Sequence, residues 1–130
     1  MKTKTLKQTV TFDAAPQQVY EILMDSKKHA AFTGAPAKIT NKVGTKFTAY
    51  GDYIEGKNLE LKEGKKIVQK WRGSEWPKEN FSTATFVLEK SGSGTKLTFT
   101  QEGIPEDSYV MVRDGWKKHY WDKMKKMLKK

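Results

Sequence analysis

Proton transfer near neutral pH most often recruits histidine, and this 130-residue chain has two, His29 and His119. Neither lies in a metal-binding or catalytic signature. His29 falls in the short polar run Lys27-Lys28-His29 and His119 at the wet border of the last helix, so both read as structural or surface residues. Glu102, Glu106 and Asp107 form an acidic cluster that resembles a carboxylate pair, but acids at the start of a helix already stabilise its positive dipole end. Gly92-Ser93-Gly94 lies between two strand-like runs with no helix after it, which makes it a hairpin tip and not a phosphate loop. For an enzyme, the polar residues left to project into a cavity are Tyr50, Tyr53 and Arg72. Neither a metal nor a cofactor is expected, and the chain reads as a non-enzyme.

Binding is better served than catalysis. Trp71 and Trp76 lie in one hairpin beside Pro77, and Trp carries the largest apolar body with a single N–H to satisfy. If Phe32, Trp71, Trp76, Phe86, Phe99, Trp116, Tyr120 and Met124 do not pack tightly, they line a cavity that accepts a hydrophobic small molecule. The plainer reading is a filled core. Lys70-Trp71-Arg72 interleaves base-stacking and phosphate-neutralising types, yet strand alternation puts Trp71 on the face opposite Lys70 and Arg72, which sets the pattern against nucleic acid.

Composition bounds the rest. A chain of this size buries roughly two thirds of its unfolded surface, enough for one self-sufficient domain over residues 1–130. It has no cysteine, so disulfides, thiolate metal sites and a cysteine nucleophile are excluded and stability must come from packing. No apolar run reaches the ~20 residues needed to cross a bilayer, and the N-terminus lacks the apolar segment of a secretory signal; a cytoplasmic protein is expected. The net charge is +10, and residues 117–130 hold seven lysines against one acid, Asp122. Such an end can steer an acidic partner. Lys117, Lys118, Lys125 and Lys129 are the candidate contacts, although a solvated helix face near a C-terminus explains them equally.

The elements that must position these residues follow from periodicity. Leu6, Gln8, Val10 and Phe12 alternate with Lys and Thr, the signature of a half-buried strand. Asp13-Ala14-Ala15-Pro16 supplies a helix start, Val19, Tyr20, Ile22 and Leu23 form its apolar side, and a second short helix follows over 26–32. Strand-like runs then occupy 38–41, 46–51, 53–62, 65–72, 82–89 and 96–102, with short turn-rich separators that favour antiparallel neighbours. After Gly103-Ile104-Pro105 a long helix extends to 129. Tyr109, Val112, Trp116, Tyr120, Met124, Met127 and Leu128 share its apolar side, with Trp121 at the margin. The spacing predicts an α+β fold: about six or seven strands in a curved antiparallel sheet wrapped around a long C-terminal helix, with two short helices after the first strand.

This order of elements, with the strings Ala31-Phe32-Thr33-Gly34-Ala35-Pro36-Ala37, Gly44-Thr45-Lys46-Phe47, Ile67-Val68-Gln69-Lys70-Trp71-Arg72, Trp76-Pro77, Phe81-Ser82-Thr83, Gly103-Ile104-Pro105 and Gly115-Trp116, resembles the C-terminal domain of the activator of heat-shock protein 90 ATPase. That domain belongs to the helix-grip superfamily of START and birch-pollen-allergen-like proteins. The resemblance runs from about residue 5 to 127. Locally, Phe32-Thr33-Gly34 is expected to plug one end of the core, and Gly115 to let the long helix approach a strand closely.

The resemblance implies a co-chaperone-like module that binds a chaperone of the heat-shock protein 90 class and stimulates its ATPase without catalysing anything itself. Full-length activators carry a further N-terminal domain that this sequence does not include. The alternative is a helix-grip carrier or sensor holding a hydrophobic small molecule between sheet and final helix. A cyclase- or aromatase-like enzyme of the same superfamily comes third.

Overall fold

The computed structural model describes residues 2–51 and 53–128. Strand β1 (Thr3–Phe12) is followed by helices α1 (Pro16–Met24) and α2 (Ser26–Thr33), then by β2 (Lys46–Ala49), β3 (Ile54–Lys62), β4 (Lys66–Gly73), β5 (Ser82–Ser91) and β6 (Gly94–Pro105). The six strands form one curved antiparallel sheet in the order β1-β6-β5-β4-β3-β2. Consecutive strands β2 to β6 are joined as a meander, and β1 closes the far edge on β6.

Local sequence explains the helices between β1 and β2. Pro16 occupies the first turn of α1, where its missing N–H costs nothing. Asp25 caps α2 through its side chain, which accepts from the Lys28 N–H at 3.0 Å. Gly34 ends α2 in the left-handed region at φ 76°. The expected strand over 38–41 is reduced to one bridge between Lys38 and Thr48. Side chains take its backbone groups: Ser26 Oγ accepts from the Ile39 N–H at 2.7 Å and donates to Ile39 O at 2.9 Å, and the buried Asn58 side chain donates to Thr40 O at 2.8 Å and, just beyond the run, to Lys42 O at 3.3 Å, curling this segment against β3.

The C-terminal helix spans 109–128 after a 3-10 turn at Glu106–Ser108, and it is not uniform. It runs as α3 (Tyr109–Gly115), a π-type segment (Trp116–Trp121) and α4 (Asp122–Leu128). The Asp122 N–H reaches Lys117 O, five residues back, the wider ring that defines a π turn. A wider turn lags the α-helical wheel, and this corrects two positions. Trp121, expected at the margin, is 3 % exposed, whereas Met127, expected on the apolar side, is 43 % exposed. Lys129 lies outside the described residues.

The helix reaches across the inner face of the sheet through Trp116. Its ring sits 4.4 Å from Phe99 of β6, 5.8 Å from Phe86 of β5 and 5.6 Å from Trp71 of β4, centroid to centroid. Trp121 stacks on it at 5.4 Å. Gln101 occupies an inward position of β6 and accepts from Trp116 Nε1 at 2.8 Å. Its amide donates to Ser82 Oγ, which donates to Trp71 O, each at 2.8 Å. Gln8 likewise accepts from Trp121 Nε1 at 2.7 Å. Two inward glutamines thus satisfy the two indole N–H groups that the helix buries, an obligation of any buried Trp.

Candidate functional site

An apolar groove of about 400 Å³ opens between the final helix and the turn joining β2 to β3. Tyr50, Tyr53 and Ile54 form one wall, Trp71 the base, and Met111, Val112, Gly115, Trp116, His119 and Tyr120 the helical wall. The volume falls within the range of small-molecule sites.

Tyr50 fixes the turn to the helix. It adopts φ 51°, unusual for a bulky residue, and its hydroxyl donates to His119 O at 2.7 Å. That carbonyl belongs to the π segment. Tyr53 donates to Glu75 at 2.7 Å. Burial pushes both phenols up to about 12, with Glu75 adding to the effect at Tyr53, so each stays protonated and hydrogen-bonded. His119 is held below the ordinary imidazole value, first by burial and then by the ammonium groups of Lys123 and Lys118.

Behind the groove, His29 takes the structural side of its reading, and the short polar helix that carries it turns this residue inward. It is 2 % exposed, with Nε2 3.0 Å from Tyr120 Oη and Nδ1 buried without a partner. Burial lowers its pKa from 6.5 to about 4. The same burial drives the Tyr120 phenol well above the ordinary value. The Lys27-Lys28 neighbours concealed this in the sequence: they face out while the third residue of the run turns toward the last helix.

Of the eight aromatic and methionine residues expected around a cavity, Trp71, Trp116 and Tyr120 meet at the groove. Phe86 joins them and His29 around a second void of about 20 Å³, room for about one water. Phe32 packs on the rings of His29 and Tyr120, at 4.9 and 5.6 Å. Phe99 lies beneath Trp116, Trp76 stands 5.3 Å from Trp71, and Met124 is fully buried. These four belong to the core and not to the groove lining. Tyr50 and Tyr53, considered only for an enzyme, do line it.

Arg72 does not project into the groove. Strand alternation puts it outside, where Nη1 pairs with Glu55 at 3.1 Å, Nη2 donates to Trp76 O at 2.5 Å and Nε to Pro77 O at 3.0 Å. It is nonetheless buried, because the 76–77 loop folds back over it. Gly115 also departs from expectation. A Cβ there would meet only His119 Cδ2, at 3.9 Å, so close strand approach is not its role; it leaves the groove open. On the helix exterior, Lys118 and Lys125 are exposed, and Lys117 pairs with Asp122 at 3.1 Å. Among the described residues, no group of three or more His, Cys, Asp or Glu could hold a metal ion, and no helix is long and apolar enough to cross a membrane.

Comparison with known proteins supplies a family. The chain is 36 % identical over 124 residues to an activator of 90 kDa heat shock protein ATPase homolog from Dictyostelium discoideum, covering 95 % of this chain and 32 % of the relative. It is 32 % identical over 121 residues to the human activator homolog 1, covering 93 % of this chain and 35 % of the relative. The chain thus spans about a third of the length of the curated relatives it matches. The fold matches that of an HSP90 activator from Plasmodium falciparum with a TM-score of 0.90 at 23 % identity, covering 95 % of both chains. It also matches the Aha1 dimer from Colwellia psychrerythraea with a TM-score of 0.83 at 18 % identity, covering 96 % of both. The family model for Activator of Hsp90 ATPase homolog 1-like protein matches residues 13–129. With the match running from the end of β1 through the final helix, the chain belongs to the Activator of Hsp90 ATPase homolog 1-like family.

Proposed function

We propose that this chain is a non-catalytic module that binds a chaperone of the Hsp90 class and stimulates its ATPase. Membership of the activator-homolog family across residues 13–129 carries this reading. The groove's chemistry supports it from the other side: the Tyr50 and Tyr53 phenols are engaged and protonated, and its one imidazole, His119, is exposed. A module of this kind accelerates hydrolysis only through the difference in its affinity for the open and closed chaperone. A tenfold preference for the closed form corresponds to about 1.4 kcal/mol. Lys117, Lys118 and Lys125 are the helix contacts proposed for an acidic partner surface.

The test is steady-state ATP turnover by the Hsp90-class chaperone of the same source, with and without this chain. Turnover is expected to rise saturably. Unchanged turnover with no complex in sedimentation would eliminate the reading.

The groove itself favours a second reading, a carrier or sensor for a hydrophobic small molecule, with Trp71, Trp116 and Tyr120 as its aromatic lining. A naphthalene-based fluorescent probe is expected to brighten on binding and to quench Trp116. Gly115→Leu, which projects a side chain into the groove, is expected to abolish that signal without unfolding the chain. Equal brightening in both proteins would remove the groove as the site.

A further inference from the structure

The outer face of the sheet carries an arrangement that neither reading uses. In the observed register Lys46 of β2 lies directly opposite Lys57 of β3, and Lys57 directly opposite Lys70 of β4. Directly opposed residues of an antiparallel pair share a face, and all three lysines are exposed. Their inward neighbours along the strands, Phe47, Gly56 and Trp71, form the matching row on the core side. Three cations therefore stand in one line across three strands.

Like charges directly opposite one another destabilise a sheet, and acids within reach would relieve them. Among the described residues none forms an ion pair with them. Glu55 is taken by Arg72 at 3.1 Å, and Glu60 lies within 3.4 Å of Lys66 and 4.0 Å of Lys62. The row continues through Thr83 to Glu102, two strands beyond Lys70. Lys70 instead rests over the ring of Phe81, 5.2 Å from its centroid, and Phe81 is 37 % exposed. The row is thus a line of three lysines without an ion pair among the described residues, with an apolar residue at one end.

We infer that this row is a docking surface for an acidic helical segment of a protein partner, lying across the strands with its carboxylates facing Lys46, Lys57 and Lys70. The spacing selects a helix. Adjacent strands stand about 4.8 Å apart, whereas side chains at i and i+4 of a helix stand about 5–6 Å apart. Alternate residues of an extended strand are separated by nearly 7 Å, which drifts out of register by the third lysine. The chemistry selects carboxylates over nucleic acid: the β-strand aromatics Phe47, Trp71, Phe86 and Phe99 point inward, and Phe81, the exposed ring beside the row, is covered by Lys70, so successive bases would find no series of rings to stack on among the described residues. The cations of the row are compact ammonium groups and not the planar guanidinium forks that favour phosphate.

The inference rests on reading the chain as a protein-binding module, but not on which partner it binds. Two helical peptides of equal composition provide the probe, one with Glu at every fourth position and one scrambled, together with a single-stranded oligonucleotide of equal charge. The patterned peptide is expected to bind about tenfold more tightly than the scrambled one. NMR shifts are expected in β2, β3 and β4. Lys46→Gln/Lys57→Gln/Lys70→Gln is expected to abolish the preference and to melt at higher temperature, which also shows that it folds. Lys27→Gln/Lys65→Gln/Lys90→Gln, three exposed lysines away from the row, with the same change in net charge, is expected to retain it. Equal binding of the two peptides, equal loss in the two variants, or tighter binding of the oligonucleotide would each overturn the inference. If chaperone turnover fails to respond while the patterned peptide still maps to the row, the chaperone reading falls and this one stands.

Discussion

His29 shows how one residue's environment can reverse its apparent character. A protonated imidazole would carry two N–H donors into a site where Nε2 meets only Tyr120 Oη and Nδ1 meets nothing, which is why burial lowers its pKa to about 4. The unfolded chain titrates near 6.5. Between these values the unfolded state binds a proton that the native state refuses, so stability present above pH 6.5 falls as pH drops and levels off near pH 4. From the shift to about 4, the loss is on the order of 3 kcal/mol. Urea unfolding at a series of pH values is expected to show this slope, and His29→Leu to flatten it. A wild-type slope confined to pH below 4 would assign acid sensitivity to the carboxylates instead. The sequence held no sign of this burial, since a two-lysine prefix gave His29 a polar neighbourhood. Inward placement of Gln8 was legible, because it alternates with Leu6, Val10 and Phe12.

Elements were more legible than residues, and their errors have local causes. The strands at 46–51, 53–62, 65–72, 82–89 and 96–102 correspond to β2 to β6 because alternation and turn chemistry are properties of adjacent residues. The run at 38–41 alternates too, but the side chains of Ser26 and Asn58, from a helix and a distant strand, take the backbone groups of Ile39 and Thr40. The helical wheel failed at Trp121 and Met127 because one π-type segment resets the phase of everything beyond it. Glycine behaves oppositely in sheet and helix. A Cβ at Gly56 would strike the Lys70 carbonyl and meet Phe47 Cε1 at 2.5 Å, whereas one at Gly115 meets only His119 Cδ2 at 3.9 Å. Gly56→Ala is therefore expected to cost about 3 kcal/mol through forced backbone movement. Gly115→Ala is expected to stabilise by about 1 kcal/mol through helix propensity. Denaturant melts of the two variants test the contrast, and equal destabilisation would refute it.

At the scale of the whole molecule, a net charge of +10 repels itself, with the lysine row and the basic final helix as its densest parts. Raising monovalent salt from about 0.01 M to about 0.15 M shortens the screening length from about 30 Å to about 8 Å. The melting temperature is expected to rise by about 3 °C over that interval. A fall would mean that favourable ion pairs dominate. The lysines near the C-terminus form a run that is legible along the chain, whereas Lys46, Lys57 and Lys70 are separated by 11 and 13 positions in the sequence. Sequence alone determined the α+β grip fold, the family resemblance, the absence of cysteine chemistry and the burial of Val112, Trp116 and Tyr120, because periodicity, turns and composition are local or additive. Tertiary structure alone decided that the aromatic set divides between core and groove, that His29 is buried, and that three distant lysines form one row. Those facts depend on strand register and helix phase, which arise only when elements far apart in the chain are brought into contact.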